Sequence, residues 1–163
     1  LSLPENTYKT IFYYTQEEAV DEDGDGNVDE NDDGIVDAYK PVLRTLQSTN
    51  SEGSSIFEHQ IKVINLVDSQ DFTRISVYFV KSDEIISTAD ANPSVVFGNQ
   101  QTLFLRNNTY QVFAVAEIDG TDIILTQDEL VLDEDSEPLF LILTEDAQVE
   151  NEVTMQWELQ SPN

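Results

Sequence analysis

Val153-Thr-Met-Gln-Trp-Glu-Leu159 decides the fold. Val153, Met155, Trp157 and Leu159 alternate with Thr154, Gln156 and Glu158, so one face of an extended chain is apolar and the other polar. Successive side chains of a strand point to opposite faces, and this pattern predicts a half-buried β-strand. Working outward, Ile75, Val77 and Phe79 alternate with Ser76 and Tyr78, and Tyr110, Val112 and Ala114 with Gln111 and Phe113. Leu139-Phe-Leu-Ile-Leu143 is a continuous apolar run, which predicts a strand buried on both faces. Further strands are expected at 7–14, 38–46, 55–67, 95–97, 101–105 and 122–132. A short helix is expected within 83–91, ended by Pro93. Short strands separated by turn residues predict an all-β, antiparallel β-sandwich.

A different pattern fills Asp21 to Asp37, which reads Asp-Glu-Asp-Gly-Asp-Gly-Asn-Val, then Asp-Glu-Asn-Asp-Asp-Gly-Ile-Val, then Asp. An eight-residue unit is written twice, with oxygen side chains at alternate positions, glycine at the sixth and an aliphatic at the eighth. Calcium takes six to eight oxygens at about 2.3–2.6 Å, and a loop supplies them by curling round the ion. Gly26 and Gly34 allow the sharp turn, while Val28 and Ile35 or Val36 can anchor the loop. Read as an EF-type loop, Asp21, Asp23 and Asp25 hold positions one, three and five, and Asn27 offers its carbonyl at seven. Asp29 falls at nine and Asp32 at twelve, where a bidentate carboxylate is expected. The second unit places Asp29, Asn31 and Asp33 at one, three and five, with Asp37 at nine. Lys40 stands at its position twelve, so a second ion must be completed differently, for example by Asp37. One to three calcium ions are expected.

The competing reading is an acidic solvated loop, the usual meaning of a charge run. Such a loop has no reason to keep glycines and aliphatics in register with its acids. Magnesium suits the segment less, because it demands strict octahedral geometry and retains its waters. Asp21–Asp37 resembles the calcium repeats of thrombospondin type 3 and dockerin-like proteins. The helix-poor thrombospondin style is the closer likeness, since dockerins need a helix after each loop and Pro41 leaves room for at most a turn.

A repeat underlies the strands. Leu1-Ser-Leu-Pro-Glu-Asn-Thr-Tyr8 matches Leu103-Phe-Leu-Arg-Asn-Asn-Thr-Tyr110, and Ser51-Glu52 before Ile56-Phe57 echoes Ser136-Glu137 before Leu139-Phe140. The interval from Tyr8 to Ser51 exceeds that from Tyr110 to Ser136 by the length of Asp21–Asp37. The calcium segment is therefore expected as a loop insertion, with the plain turn Asp119-Gly-Thr-Asp122 at the equivalent place. Asn6 and Asn108 stand where a hairpin before Thr-Tyr would need a left-handed residue. The marks Ile61-Lys-Val-Ile-Asn-Leu-Val67, Ile75-Ser-Val-Tyr-Phe-Val80, Phe97-Gly98 and Leu105-Arg-Asn-Asn-Thr-Tyr110 resemble a family of secreted bacterial immunoglobulin-like sandwich domains of unknown function that occur in tandem. Asn108 replaces that family's usual glycine. The resemblance implies immunoglobulin-like units in tandem: a partial unit over 1–60 carrying the insertion 21–37, and a complete unit over 61–163.

Charge narrows the function. The chain has 163 residues, 33 acidic against 7 basic, and a net charge of −26. Phosphate backbones and anionic membrane surfaces would repel it, so neither nucleic acid nor direct membrane insertion is expected. Without the nine acids of 21–37 the chain still carries about −17, so the acidity is global. There is no cysteine, which excludes disulfides and thiolate chemistry. Acidity and calcium together predict a bacterial protein that is extracellular or at the cell surface. The start at Leu1 predicts a processed or truncated piece, with any export signal upstream.

Catalytic signals are weak. His59, the one histidine, lies in Phe57-Glu-His-Gln60 beside no nucleophile motif and reads as a strand-face residue. The carboxylates of Asp128-Glu129 and Asp133-Glu-Asp135 sit among other acids in turns, not paired across a cleft. Trp157 reads as core before sugar platform, and Asn107-Asn-Thr109 matches the glycosylation sequon. The expectation is a non-catalytic structural or adhesive protein that self-associates or meets a cell-surface partner, a fibre built by strand addition included. The alternative is a ligand- or carbohydrate-binding module, favoured if Tyr8, Tyr13, Tyr14 or Tyr39 line one exposed face; Tyr13 and Tyr14 cannot both do so.

Overall fold

The computed structural model describes residues 7–21, 28, 36, 38–51, 58–89, 91–146 and 152–160. Ten strands run in chain order: β1 Thr7–Ala19, β2 Tyr39–Ser51, β3 Glu58–Asn65, β4 Arg74–Lys81, β5 Ser94–Val96, β6 Asn99–Arg106, β7 Asn108–Ile118, β8 Thr121–Leu132, β9 Leu139–Glu145 and β10 Val153–Leu159. The expected helix within 83–91 reduces to one 3₁₀ turn, Ile86–Thr88. Contacts group Ile11–Ser48 as one compact unit and Leu1–Thr10 with Thr49–Asn163 as the other. The boundary expected between 60 and 61 falls inside β3.

The larger unit is an all-β sandwich of two four-stranded sheets, ordered β10-β9-β3-β6 and β5-β4-β7-β8. Ile61 and Val63 of β3, Ile75, Val77 and Phe79 of β4, Tyr110, Val112 and Ala114 of β7, and Leu141 and Leu143 of β9 form its core. Those are the period-two positions, because alternation puts every second side chain on the inner face. β9 sits between two strands and is buried on both faces, with Phe140 and Ile142 buried opposite Leu141 and Leu143. In β10, at the sheet edge, Val153 is buried and Met155 and Trp157 pack on the core, whereas Leu159 at the strand's end is exposed.

Three details depart from the expectations. β9 pairs with β3 in parallel, Ile61 opposite Leu139, whereas β9–β10, β3–β6, β4–β5, β4–β7 and β7–β8 are antiparallel. A chain that leaves β8 in one sheet and re-enters the other beside β3 is free to arrive in either direction. Leu105–Tyr110 is not a hairpin: β6 pairs with β3 and β7 with β4 and β8, so the chain changes sheet at Asn107. Asn108 consequently needs no left-handed conformation; among the described residues Asp119, Gly98 and Gly120 have positive φ. Lys62 and Ile64, on the outer side of β3, are buried where simple alternation would expose the lysine. Lys62 Nζ stands 6.0 Å from the centre of the Phe140 ring, and burial lowers its pKa.

Polar side chains fasten the sheet crossings. The Tyr110 hydroxyl donates to the Arg106 carbonyl at 2.9 Å, tying the start of β7 to the end of β6. Asn65 is buried and fully used: its amide donates to the Val95 carbonyl at 2.9 Å, and its Oδ1 accepts from Val67 N at 3.0 Å. Its own carbonyl accepts from Gly98 N at 2.8 Å. Unpaired, each buried group would cost about 1–3 kcal/mol.

Candidate metal centre

β1 and β2 form a two-stranded sheet within which the segment Asp21–Asp37 is the whole connection. Val20 N donates to the Ala38 carbonyl at 2.9 Å, so the chain leaves and re-enters at one point. An Arg44–Glu18 ion pair links the two strands on the same unit. A ligating loop needs this closure, since oxygens spread over 17 residues must converge on one small volume. Asp21, Val28 and Val36 are half-buried. That suits the expected anchoring role of the two valines. Asp23, Asp25, Asn27, Asp29, Asn31, Asp32, Asp33 and Asp37 lie outside the described residues. Among the described residues no group of three or more His, Cys, Asp or Glu side chains is placed to hold a metal. The donor set itself fits a hard cation: carboxylate and amide oxygens, with no nitrogen or sulfur ligand in the segment.

The other residues weighed in the sequence have structural surroundings. His59 is buried on β3, with Nδ1 donating to the Ser136 carbonyl at 2.9 Å and Nε2 2.5 Å from Asn107 Oδ1. It joins the β6–β7 crossing to the β8–β9 turn. The same contact engages the side chain of the sequon asparagine. Trp157 donates its indole N–H to Asp128 Oδ2 at 2.8 Å, closing β10 against β8 at the sandwich edge. Asp133 and Ser136 cap one another within their turn.

One surface escaped the sequence reading, and one that it weighed can be placed. Over β4 and β7 lies an open groove of about 820 Å³, floored by Tyr78, Val80 and Phe113 and walled by the segment after β4. On the hairpin, Tyr13 and Tyr39 are both exposed while Tyr14 is half-buried. The side chain of Tyr8 is outside the described set. Alternating exposure along β1 was legible in outline, but the groove depends on where residues 82–87 fold back.

No protein-family model, curated protein or solved structure matches the chain.

Proposed function

We propose that this is a non-catalytic, calcium-binding structural or adhesive protein of a bacterial cell surface or its surroundings. One observation carries the reading: a segment patterned for calcium is the complete connection between paired strands, closed at its base by the Val20–Ala38 hydrogen bond. Nine acids in that loop repel one another without a cation. A bound ion draws them together and holds the ends of β1 and β2 in register, so binding energy becomes stability of the hairpin. Both ring nitrogens of His59, the single histidine, face oxygen partners, which gives that side chain a structural place.

The immunoglobulin-like likeness belongs to the same proposal. The order β5-β4-β7-β8 in one sheet and β3 beside β6 in the other is that of strands C′, C, F and G against B and E. Tyr110 answers the tyrosine corner at the E–F crossing. β9 lies beside β3 on the side where strand A lies beside B, but it runs parallel to β3 and so departs from the antiparallel sheet of that fold.

Calorimetry tests the calcium reading. With calcium at a hundred times Kd the stabilisation is about 2.7 kcal/mol, and chelator should reverse it. Asp25→Ala should remove most of the difference. A melting temperature indifferent to both calcium and chelator would refute the proposal. The runner-up, a ligand- or carbohydrate-binding module, draws on the exposure of Tyr13 and Tyr39. Saturable binding of a neutral oligosaccharide that Tyr13→Ala abolishes would favour it.

A further inference from the structure

The surroundings of His59 satisfy only one protonation state of its ring. The side chain is buried on β3, with Nδ1 2.9 Å from the Ser136 carbonyl and Nε2 2.5 Å from Oδ1 of Asn107. Both partners are acceptors as they stand, and only the imidazolium carries two N–H donors. The neutral ring carries one, so its bare nitrogen would meet an oxygen lone pair to lone pair. Burial keeps water from relieving that contact, and a buried polar group without a partner costs the desolvation of that group.

The two partners differ in freedom. The Ser136 carbonyl can only accept, and its turn is pinned: Ser136 N donates to the Asp133 carbonyl at 3.2 Å, Asp133 N to Ser136 Oγ at 2.9 Å and Asp135 N to Asp133 Oδ1 at 3.1 Å. Nδ1 therefore keeps its proton in either state, and Nε2 is the nitrogen that gains or loses one. Asn107 is exposed, and its amide presents an oxygen or a nitrogen to the same point after a half-turn about its last torsion. The charged groups nearby are Glu58 beside the ring on β3, Arg106 at the end of β6, and Asp133, Glu134, Asp135 and Glu137 between β8 and β9. Glu58 faces Arg106 at 3.7 Å, and among the described residues none of these groups forms an ion pair with the ring. The amide is the group left to respond to the proton.

We propose that His59 and Asn107 form a proton-driven switch in which the amide of Asn107 turns over as the ring changes charge. With the imidazolium, Nδ1–H donates to the Ser136 carbonyl and Nε2–H to Asn107 Oδ1. When Nε2 gives up its proton the amide turns, and Asn107 Nδ2 donates to the bare Nε2. Both hydrogen bonds survive in each state. What changes is the outer side of Asn107, which shows solvent its N–H donors when the ring is charged and its oxygen when the ring is neutral. The ring lies at a junction: Asn107 stands where the chain passes from β6 in one sheet to β7 in the other, and Ser136 where it passes back from β8 to β9. One side chain thus ties two sheet crossings together and carries a pH signal to the surface at one of them. The inference is independent of the calcium reading.

Nuclear magnetic resonance of the nitrogen-labelled full chain, in calcium-containing buffer between about pH 8 and 5 where histidine charge changes, tests it. At the upper end Nδ1 should carry the one ring proton, and a coupling across the hydrogen bond should connect Nε2 with the side-chain nitrogen of Asn107. As the ring takes up its second proton that coupling should vanish, and the Asn107 amide signals should shift with the same midpoint as the ring. The amide of Asn108, whose oxygen accepts from Thr109 N at 2.8 Å, should not follow. His59→Gln should make the Asn107 signals independent of pH over this range. Asn107→Asp, at an exposed position, keeps the test open if His59→Gln does not fold: a carboxylate only accepts, so the ring should stay doubly protonated to higher pH than in the unchanged chain. Asn107 amide signals that stay constant while the ring titrates overturn the proposal. A neutral ring with its proton on Nε2, or a ring that keeps one state over the whole range, overturns it as well.

Discussion

Tyr110 shows how one side chain can hold two sheets in relation. Its ring is in the core, edge-on to Phe79 at 6.4 Å, and its hydroxyl reaches the Arg106 carbonyl. Tyr110→Phe keeps the packing and removes the bond, so chemical denaturation should show a loss of about 1–2 kcal/mol with an unchanged m-value. Burial, foremost, raises the pKa of this phenol. Its folded value therefore lies above its unfolded one, and the stability linked to the protonated hydroxyl is intact below about pH 10. That stability is lost as pH climbs through the raised value. Lys62 runs the other way: its lowered pKa makes stability rise with pH towards the ordinary lysine value. Tyr110→Phe should accordingly flatten the alkaline fall of the unfolding free energy, measured from pH 9 to about 11.

At the scale of elements, the β7–β8 turn separates local from distant causes. Asp119 has φ 52° and Gly120 φ 75°, and these two residues alone join strands that end at Ile118 and resume at Thr121. Both in the left-handed region, they make the turn whose twist matches a hairpin. A Cβ on Gly120 would meet nothing within 4 Å. Gly120→Ala should therefore cost about 1 kcal/mol through backbone strain alone, read as a shift in denaturation midpoint, while Asp119→Gly should be nearly neutral. This turn was legible, because Asp-Gly between alternating runs carries its conformation in its own residues. The β6–β7 crossing was not. Asn107-Asn108 also suits a hairpin, and only the pairing of β6 with β3 makes it a change of sheet. The register shift in the β7–β8 ladder, at Ala114/Val115, was equally hidden.

For the whole molecule, charge is the first determinant of behaviour. Acids distributed along the entire chain raise the free energy of any compact state, and salt screens that repulsion over about 8–10 Å at physiological strength. Raising sodium chloride from about 10 to about 150 mM should raise the melting temperature in chelator. The gain from calcium at equal ionic strength should exceed it, since a coordinated ion does more than screen. Equal effects of calcium and sodium chloride at matched ionic strength would speak for a solvated acidic loop.

What the sequence determined by itself was whatever a residue settles with its near neighbours. Period-two alternation located the strands, with Val153–Leu159 correct to the residue. The oxygen-and-glycine spacing of Asp21–Asp37 is the ground of the calcium proposal, and the segment falls between β1 and β2. Only the tertiary structure decided which strand lies beside which: β9 parallel to β3, β6 and β7 in different sheets, Lys62 buried and Tyr78 with Phe113 flooring a groove. The reason is physical. Alternation follows from the covalent geometry of an extended chain and is written in each segment, whereas strand neighbours are chosen by burial among residues far apart in the chain, and no single segment encodes that choice.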